Sequence, residues 1–400
     1  MNEIDKNRQL IQTSDAGVRE SMNRPNLKWA SGLLTWITGK PLRGQKPLFG
    51  SPWSQLATTI LQLGAGFAGA ALILKHAWLF WAFLPACWLL TTSAARKIQV
   101  MLVHHCSHLT FCRSKLTNRL IGDVLSTLIW SQDFTTYQRD HVVSHHGKDF
   151  ATMNDPDVVT LTKLMMIKPG MSKKELWSCL WRSLVSPRLH LTFLRFRLRA
   201  NFRTCPNYRK VCSIFYAIGL LSLVAMTDQW ITLMWAWMFP LIVPYQISAV
   251  LQFCSRHFWL QPKEDGEMPK DHIARLTVGR FCGEPAPSSD LRLPLAVLAW
   301  SVWSLRMLFV HLFWRMFVLV NSLPEHDWHH RYPASRSWAI GPFERQRDID
   351  AGHLGWPAYD EVWGFLNSVD LAFEMWSKLP KQVGSGDISA SDFEQTIASM

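Results

Sequence analysis

The residues best suited to chemistry in this 400-residue chain are its histidines, of which there are 15. Most fall into three tight groups: His104-His105-Cys106-Ser107-His108, His141-Val142-Val143-Ser144-His145-His146 and His326-Asp327-Trp328-His329-His330. On an α-helix, residues at i, i+3 and i+4 share a face, so such imidazoles can converge on one ion at about 2 Å. Neighbours such as His145-His146 or His329-His330 diverge by roughly 100°, so one member can serve its own ion and the other a second one. Two such doublets plus spaced pairs suit a dinuclear centre. The isolated His76, His190, His272, His311 and His353 read instead as solvated or hydrogen-bonded residues.

Positioning these groups falls to a strongly apolar chain. Hydrophobic residues make up 48% and charged residues 18%, against about 25% charged in a usual soluble protein. Disorder, collagen and coiled coil are excluded. Apolar runs at 56–74, 77–100, 211–226 and 230–251 approach the roughly 20 residues that cross a bilayer. They predict an all-α integral membrane protein of two transmembrane hairpins, four spans in all, with a cytoplasmic helical cap holding the di-metal site. Residues 1–52 form an N-terminal cytoplasmic segment with an amphipathic stretch around Leu27–Ile37. Residues 53–350 form the catalytic domain, and 351–400 a C-terminal segment with a flexible tail. The second span runs on as one helix into His104–His108. Pro240 and Pro244 lie inside the fourth span, tolerable where neighbours satisfy the freed carbonyls.

The net charge of +12 sits entirely between Arg96 and Lys210, where 19 Lys and Arg face 7 Asp and Glu. No nucleic-acid-binding motif accompanies this block, and no nucleic-acid partner is expected. Beside apolar spans it reads as the positive-inside signal, placing the histidine groups at the cytoplasmic face of a bacterial inner membrane or its equivalent. The interleaved Trp, Leu and Arg of LWSCLWRSLVSPRLHLTFLRFRLR suit a helix at a membrane surface. The apolar stretch 293–320 contains Arg306, His311 and Arg315. The two arginines point to opposite sides of a helix, and each costs roughly 2.5–3.5 kcal/mol to insert; the stretch is expected at the membrane surface. Four crossings put all three histidine groups on one side, whereas a fifth would strand the last. The polar N-terminus has no signal-peptide core. The eight cysteines form no Cys-x-x-Cys pairing and read as inert thiols.

HHCSH, HVVSHH and HDWHH resemble the three histidine boxes of membrane fatty acid desaturases and hydroxylases. The resemblance implies two non-haem iron ions and O2 as co-substrate. Box positions match His104, His108, His141, His145, His146, His326, His329 and His330, and His257 of QFCSRHFW matches a further ligand used by some members. Many relatives carry an acid after the first histidine of box one; His105 stands there, leaving His104 or His105 as the partner of His108, with i, i+4 spacing favouring His104. Asp140, Asp155, Asp157, Glu325 and Asp327 are candidates to orient ligating rings through their second N–H.

The resemblance further implies a fatty acyl substrate reached from the membrane lipids and an external electron donor of ferredoxin, rubredoxin or cytochrome b5 type. No cysteine cluster for an iron–sulfur module is present. The leading expectation is a desaturase; a hydroxylase or an oxidative decarboxylase can use the same ligands. A metal transporter is a more distant alternative, since transporters place ligands at mid-membrane.

Overall fold

The computed structural model describes residues 11–13, 17–48, 50–76 and 78–381. The expected flexible tail, residues 383–400, lies outside them, as do residues 1–10 and 14–16 of the N-terminal segment. The chain is largely helical and divides into two units. One comprises Pro52–Cys254, Trp259–Gln261 and Phe373–Met400; the other comprises Met1–Ser51, Ser255–Phe258 and Pro262–Ala372. Among the described residues, four helices are long and apolar enough to cross a membrane: Pro52–His76, Asn207–Thr227, Trp230–Arg256 and Leu293–Phe317. The stretch 77–100 is not among them. A 3-10 turn, Trp78–Phe83, precedes a helix that starts at Leu84 and continues without a break through Ser107, carrying the first histidine group on its axis as expected.

In the first unit, the helix Pro52–His76 packs on Leu84–Lys97 through Gly66. A Cβ there would lie 2.6 Å from Thr91 Oγ1 and 2.9 Å from the Cys87 carbonyl, so only glycine lets the two backbones meet. Leu84–Lys97 also repairs the proline defects of Trp230–Arg256. Pro244 cannot donate to the Pro240 carbonyl four residues back, and Thr92 Oγ1 donates to that carbonyl at 3.1 Å. Trp235 lies in a π-helical turn, Leu233–Met238, whose i+5 donor would be Pro240. The Trp88 indole N–H supplies that bond to the Trp235 carbonyl at 2.7 Å.

The basic segment folds as capped helices. Lys115–Leu128 starts at Ser114, and Lys173–Leu184 opens on a reciprocal Ser172/Glu175 capping box. The surface stretch becomes Lys173–Leu184 and Pro187–Phe202, with Trp181 and Leu191 exposed. Two buried arginines then fix the loop that leads to the second histidine group. Arg197 donates to the Ile129, Trp130 and Leu241 carbonyls, and Arg209 to Ser126 Oγ and the Ser131 carbonyl.

The other unit departs from a purely helical fold. Strands β1 (Ile11–Thr13), β2 (Gly279–Phe281) and β3 (Asp360–Trp363) form a sheet with β3 central, antiparallel to β1 and parallel to β2. Strands this short carry no alternation that sequence could reveal. Val18, Met22, Leu34, Ile37, Phe281, Trp303, Met307 and Trp363 form the apolar core.

Beside that core runs a buried chain of charges. Lys40 Nζ lies 2.8 Å from both Glu361 oxygens, Arg345 reaches Glu361 at 2.7 Å, and Arg345 grips Asp327 through two nitrogens at 2.8–3.1 Å.

The helix Leu293–Phe317 contacts this unit through one stripe, Trp303, Met307, His311 and Arg315. Its polar residues each find a partner. His311 Nδ1 accepts the Gly283 N–H at 3.0 Å, Arg306 pairs with Glu284 at 2.7 Å, and Arg315 donates to the carbonyls of Trp36 at 2.8 Å and Asn321 at 2.7 Å. The remaining surface is exposed and apolar. The helix therefore reaches membrane length with its charges satisfied by protein, a compensation that per-residue insertion costs do not contain.

Candidate metal centre

Helical periodicity places the first box. His104–Ser107 ends the long helix, and His108 donates its N–H to the His104 carbonyl at 3.1 Å. His104 and His108 thus stand one turn apart, ring centroids 4.9 Å from each other. His105 turns elsewhere, with Nδ1 3.2 Å from Thr110 Oγ1. Of the two, His104 is the ring that gathers with His108.

The second box lies on a π-helix, Arg139–Lys148. In a π-helix the repeating bond joins i to i+5, so residues five apart share a face. His141 and His146 both turn to the first box. Ring centroids are 4.4 Å from His104 to His141, 4.8 Å from His108 to His146 and 4.7 Å from His141 to His146. The donor atoms of His104, His108, His141 and His146 lie within 4.8 Å of one another. Ligands about 2.0–2.2 Å from one ion stand at most about 4.4 Å apart, so the four imidazoles fit a metal with shifts of a few tenths of an ångström. Tyr137 stacks on His141 at 5.3 Å and 3°. Burial, then the neighbouring His104 and His146, hold His141 well below the usual imidazole range. The neutral ring is the ligating form.

His145 points another way, its Nδ1 2.8 Å from Asp155 Oδ2. Asp155 also accepts the N–H groups of Ala151 and Asp157, capping Pro156–Val159. Asp155, one of the five candidate carboxylates, thus hydrogen-bonds the ring of a box histidine. Donor atoms of His145, Asp155 and Asp157 lie within 4.8 Å of one another, and the ring packs on Phe150 and Trp259. Asp140 instead accepts from Gln132 and Arg139.

The third box occupies the buried helix His326–Arg331. His326 and His330 meet His257 with ring centroids 4.6–5.2 Å apart, and the three donor atoms again lie within 4.8 Å. The Nε2 atoms of His326 and His330 approach to 3.1 Å. His329, on the same helix, stacks on His326 at 5.5 Å and 20°. Arg256 Nε donates to His326 Nε2 at 3.0 Å. Burial, then Arg256 and His330, keep His326 well below its ordinary value.

Asp327 turns to Arg345. Burial works against the Arg345 charge, yet Asp327 and Glu361 hold its pKa above the usual guanidinium value. Burial pushes the Glu325 carboxyl up to about 8. Tyr137, Arg256 and Arg345 escape reading from sequence. Only Tyr137, one turn before His141, and Arg256, beside His257, carry any local signal.

Residues 77–283, just over half of the chain, match the fatty acid desaturase family. The chain belongs to that family. Membership brings residence in a membrane and an oxidoreductase chemistry of the desaturase or hydroxylase type on fatty acyl chains. The imidazole-only clusters suit the iron for which the family is known. No curated protein matches the chain. His190 bonds Gln246 Oε1 at 2.8 Å and the Leu184 carbonyl at 2.9 Å, and His272 bonds Glu267 at 3.0 Å.

Proposed function

We propose that the protein is a membrane di-iron desaturase that introduces a double bond into a fatty acyl chain using O2 and electrons from a separate carrier of ferredoxin, rubredoxin or cytochrome b5 type. The single observation that carries the reading is the pair of all-histidine clusters, four rings from boxes one and two and three rings from His257 and box three, in a chain of this family. The proposed ligands are His104, His108, His141, His146, His257, His326 and His330, with His145 and His329 as the remaining two of the set. The reading includes two transmembrane hairpins and a cytoplasmic cap, supported by the basic block between Arg96 and Lys210.

Bound iron supplies the redox chemistry by which hydrogen is removed from an unactivated C–H bond. In balance, two hydrogens leave adjacent carbons, and O2 with two electrons and two protons departs as two waters. The protein's own contribution is positional. Buried neutral imidazoles present lone pairs without a proton to lose. Asp155 fixes the tautomer of His145 by accepting from Nδ1. The surrounding burial keeps water from the site. The cationic surface of the 96–210 segment suits an anionic head group.

Iron-loaded protein given acyl substrate, reductant and O2 is expected to yield a product lighter by two hydrogens. A product heavier by one oxygen would make it a hydroxylase, and loss of a carbon a decarboxylase. Metal analysis should find about two irons per chain, lost on His145→Ala and on His329→Ala. Exchangeable zinc without oxygen consumption would refute the oxidative reading.

A further inference from the structure

The amphipathic stretch near the N-terminus has no part in the metal site, yet it presents a built surface. The 3-10 helix Pro25–Ala30 leads into the helix Ser31–Thr38, which Gly39 ends in a left-handed conformation at φ +81°. One face is core: Ala30, Leu34 and Ile37 are buried against Trp303, Met307 and Phe281. The adjacent face carries Trp29 at 83% exposure, Leu33 at 45% and Trp36 at 43%. Leu48, 82% exposed, joins them, its Cδ1 within 3.5 Å of where a Cβ on Gly32 would stand. A soluble surface rarely gathers two tryptophans and two leucines in this way.

Two further observations say what covers this face. The helix is tied to the C-terminal end of the apolar helix Leu293–Phe317, since Arg315 donates from Nε to the Trp36 carbonyl at 2.8 Å. The patch therefore stands beside one end of a helix of membrane length. The charge beside it is mostly basic: Lys28 and Lys46 are exposed, Arg43 is exposed and pairs with Asp350 at 3.0 Å, and residues 24–48 contain no Asp or Glu. Tryptophan concentrates at the boundary between hydrocarbon and head groups, and lysine and arginine beside an apolar face favour anionic lipid.

We propose that Trp29, Leu33, Trp36 and Leu48 form an in-plane membrane contact, with the Pro25–Thr38 segment lying in the head-group layer of an anionic bilayer.

The test uses the full-length protein in phosphatidylcholine vesicles with and without phosphatidylglycerol. Residues are labelled by a bilayer-confined carbene precursor and, separately, by water-borne hydroxyl radicals, then mapped by mass spectrometry. Residues 29–36 and Leu48 are expected to take the carbene as do the exposed span residues Leu61 and Phe215, severalfold above Met268 on its polar loop, and more strongly with phosphatidylglycerol. They should be correspondingly protected from radicals. Radical labelling of Trp29 and Trp36 at the level of Met268 would overturn the proposal. So would shielding from both reagents, which would mean that another protein chain covers the face. Changing Leu33 and Leu48 to Ser, both on the exposed face, should weaken carbene labelling of Trp29 while Leu61 and Phe215 keep theirs; unchanged labelling of Trp29 would count against the proposal.

Discussion

Asp155 Oδ2 stands 2.8 Å from His145 Nδ1 and accepts the Ala151 N–H, while its Oδ1 accepts that of Asp157, so the carboxylate that starts a helix also sets a ring. Replacing it separates the two roles. Asp155→Asn should lower metal affinity by about 10–100-fold while changing the melting temperature little. Asp155→Ala should add a capping loss of about 1 kcal/mol. Iron per chain after dialysis, read beside thermal melts, distinguishes them.

Arg345 joins Asp327 to Glu361 with all three side chains buried. Arg345→Met leaves two carboxylates in a dry interior and should destabilise the protein by about 3–5 kcal/mol. Arg345→Lys keeps the charge but loses the two-nitrogen grip and should fall between. Thermal unfolding in detergent measures both.

Gly66 and Gly219 are both helical, but only the first touches a neighbour where a Cβ would be. Gly66→Ala should cost about 1–3 kcal/mol by forcing the Leu84–Lys97 helix away. Gly219→Ala meets nothing within 4 Å and should be neutral or stabilising by up to about 1 kcal/mol. A melt of the two variants side by side is the check.

The Glu267 carboxylate is held down at about 2, from an ordinary 4.5, chiefly by its hydrogen bond from Arg275. A depressed carboxylate pKa gives stability that is complete above the unfolded value and lost as pH falls through the folded one. The loop around residues 262–275 should therefore resist acid protease at pH near 4.5 and loosen as pH approaches about 2. In Glu267→Gln it should already be loose at neutral pH. Cleavage mapping across that window reads the outcome.

The pairing of His104 with His108 followed from α-helical spacing alone, and so did the grouping of His326 with His330. His141 and His146 did not, because five residues part them by about 140° on an α-helix and only the π-helix Arg139–Lys148 brings them to one face. Likewise, arginines inside Leu293–Phe317 argued from sequence against a crossing helix. The structure adds what the sequence lacked, partners for those charges: Arg306 meets Glu284 and Arg315 meets backbone carbonyls.

What the amino-acid sequence determined by itself was local: apolar runs long enough to be spans, and rings repeating at a helical period. Tertiary structure decided which rings gather and which charges are tolerated. Lys40 and Glu361 are 321 positions apart. The short strands β1, β2 and β3 exist only because each hydrogen-bonds to a distant one. Periodicity reports the face a residue occupies on its own element, whereas a buried ion pair or a strand partner depends on chain closure over hundreds of residues, which no local pattern encodes.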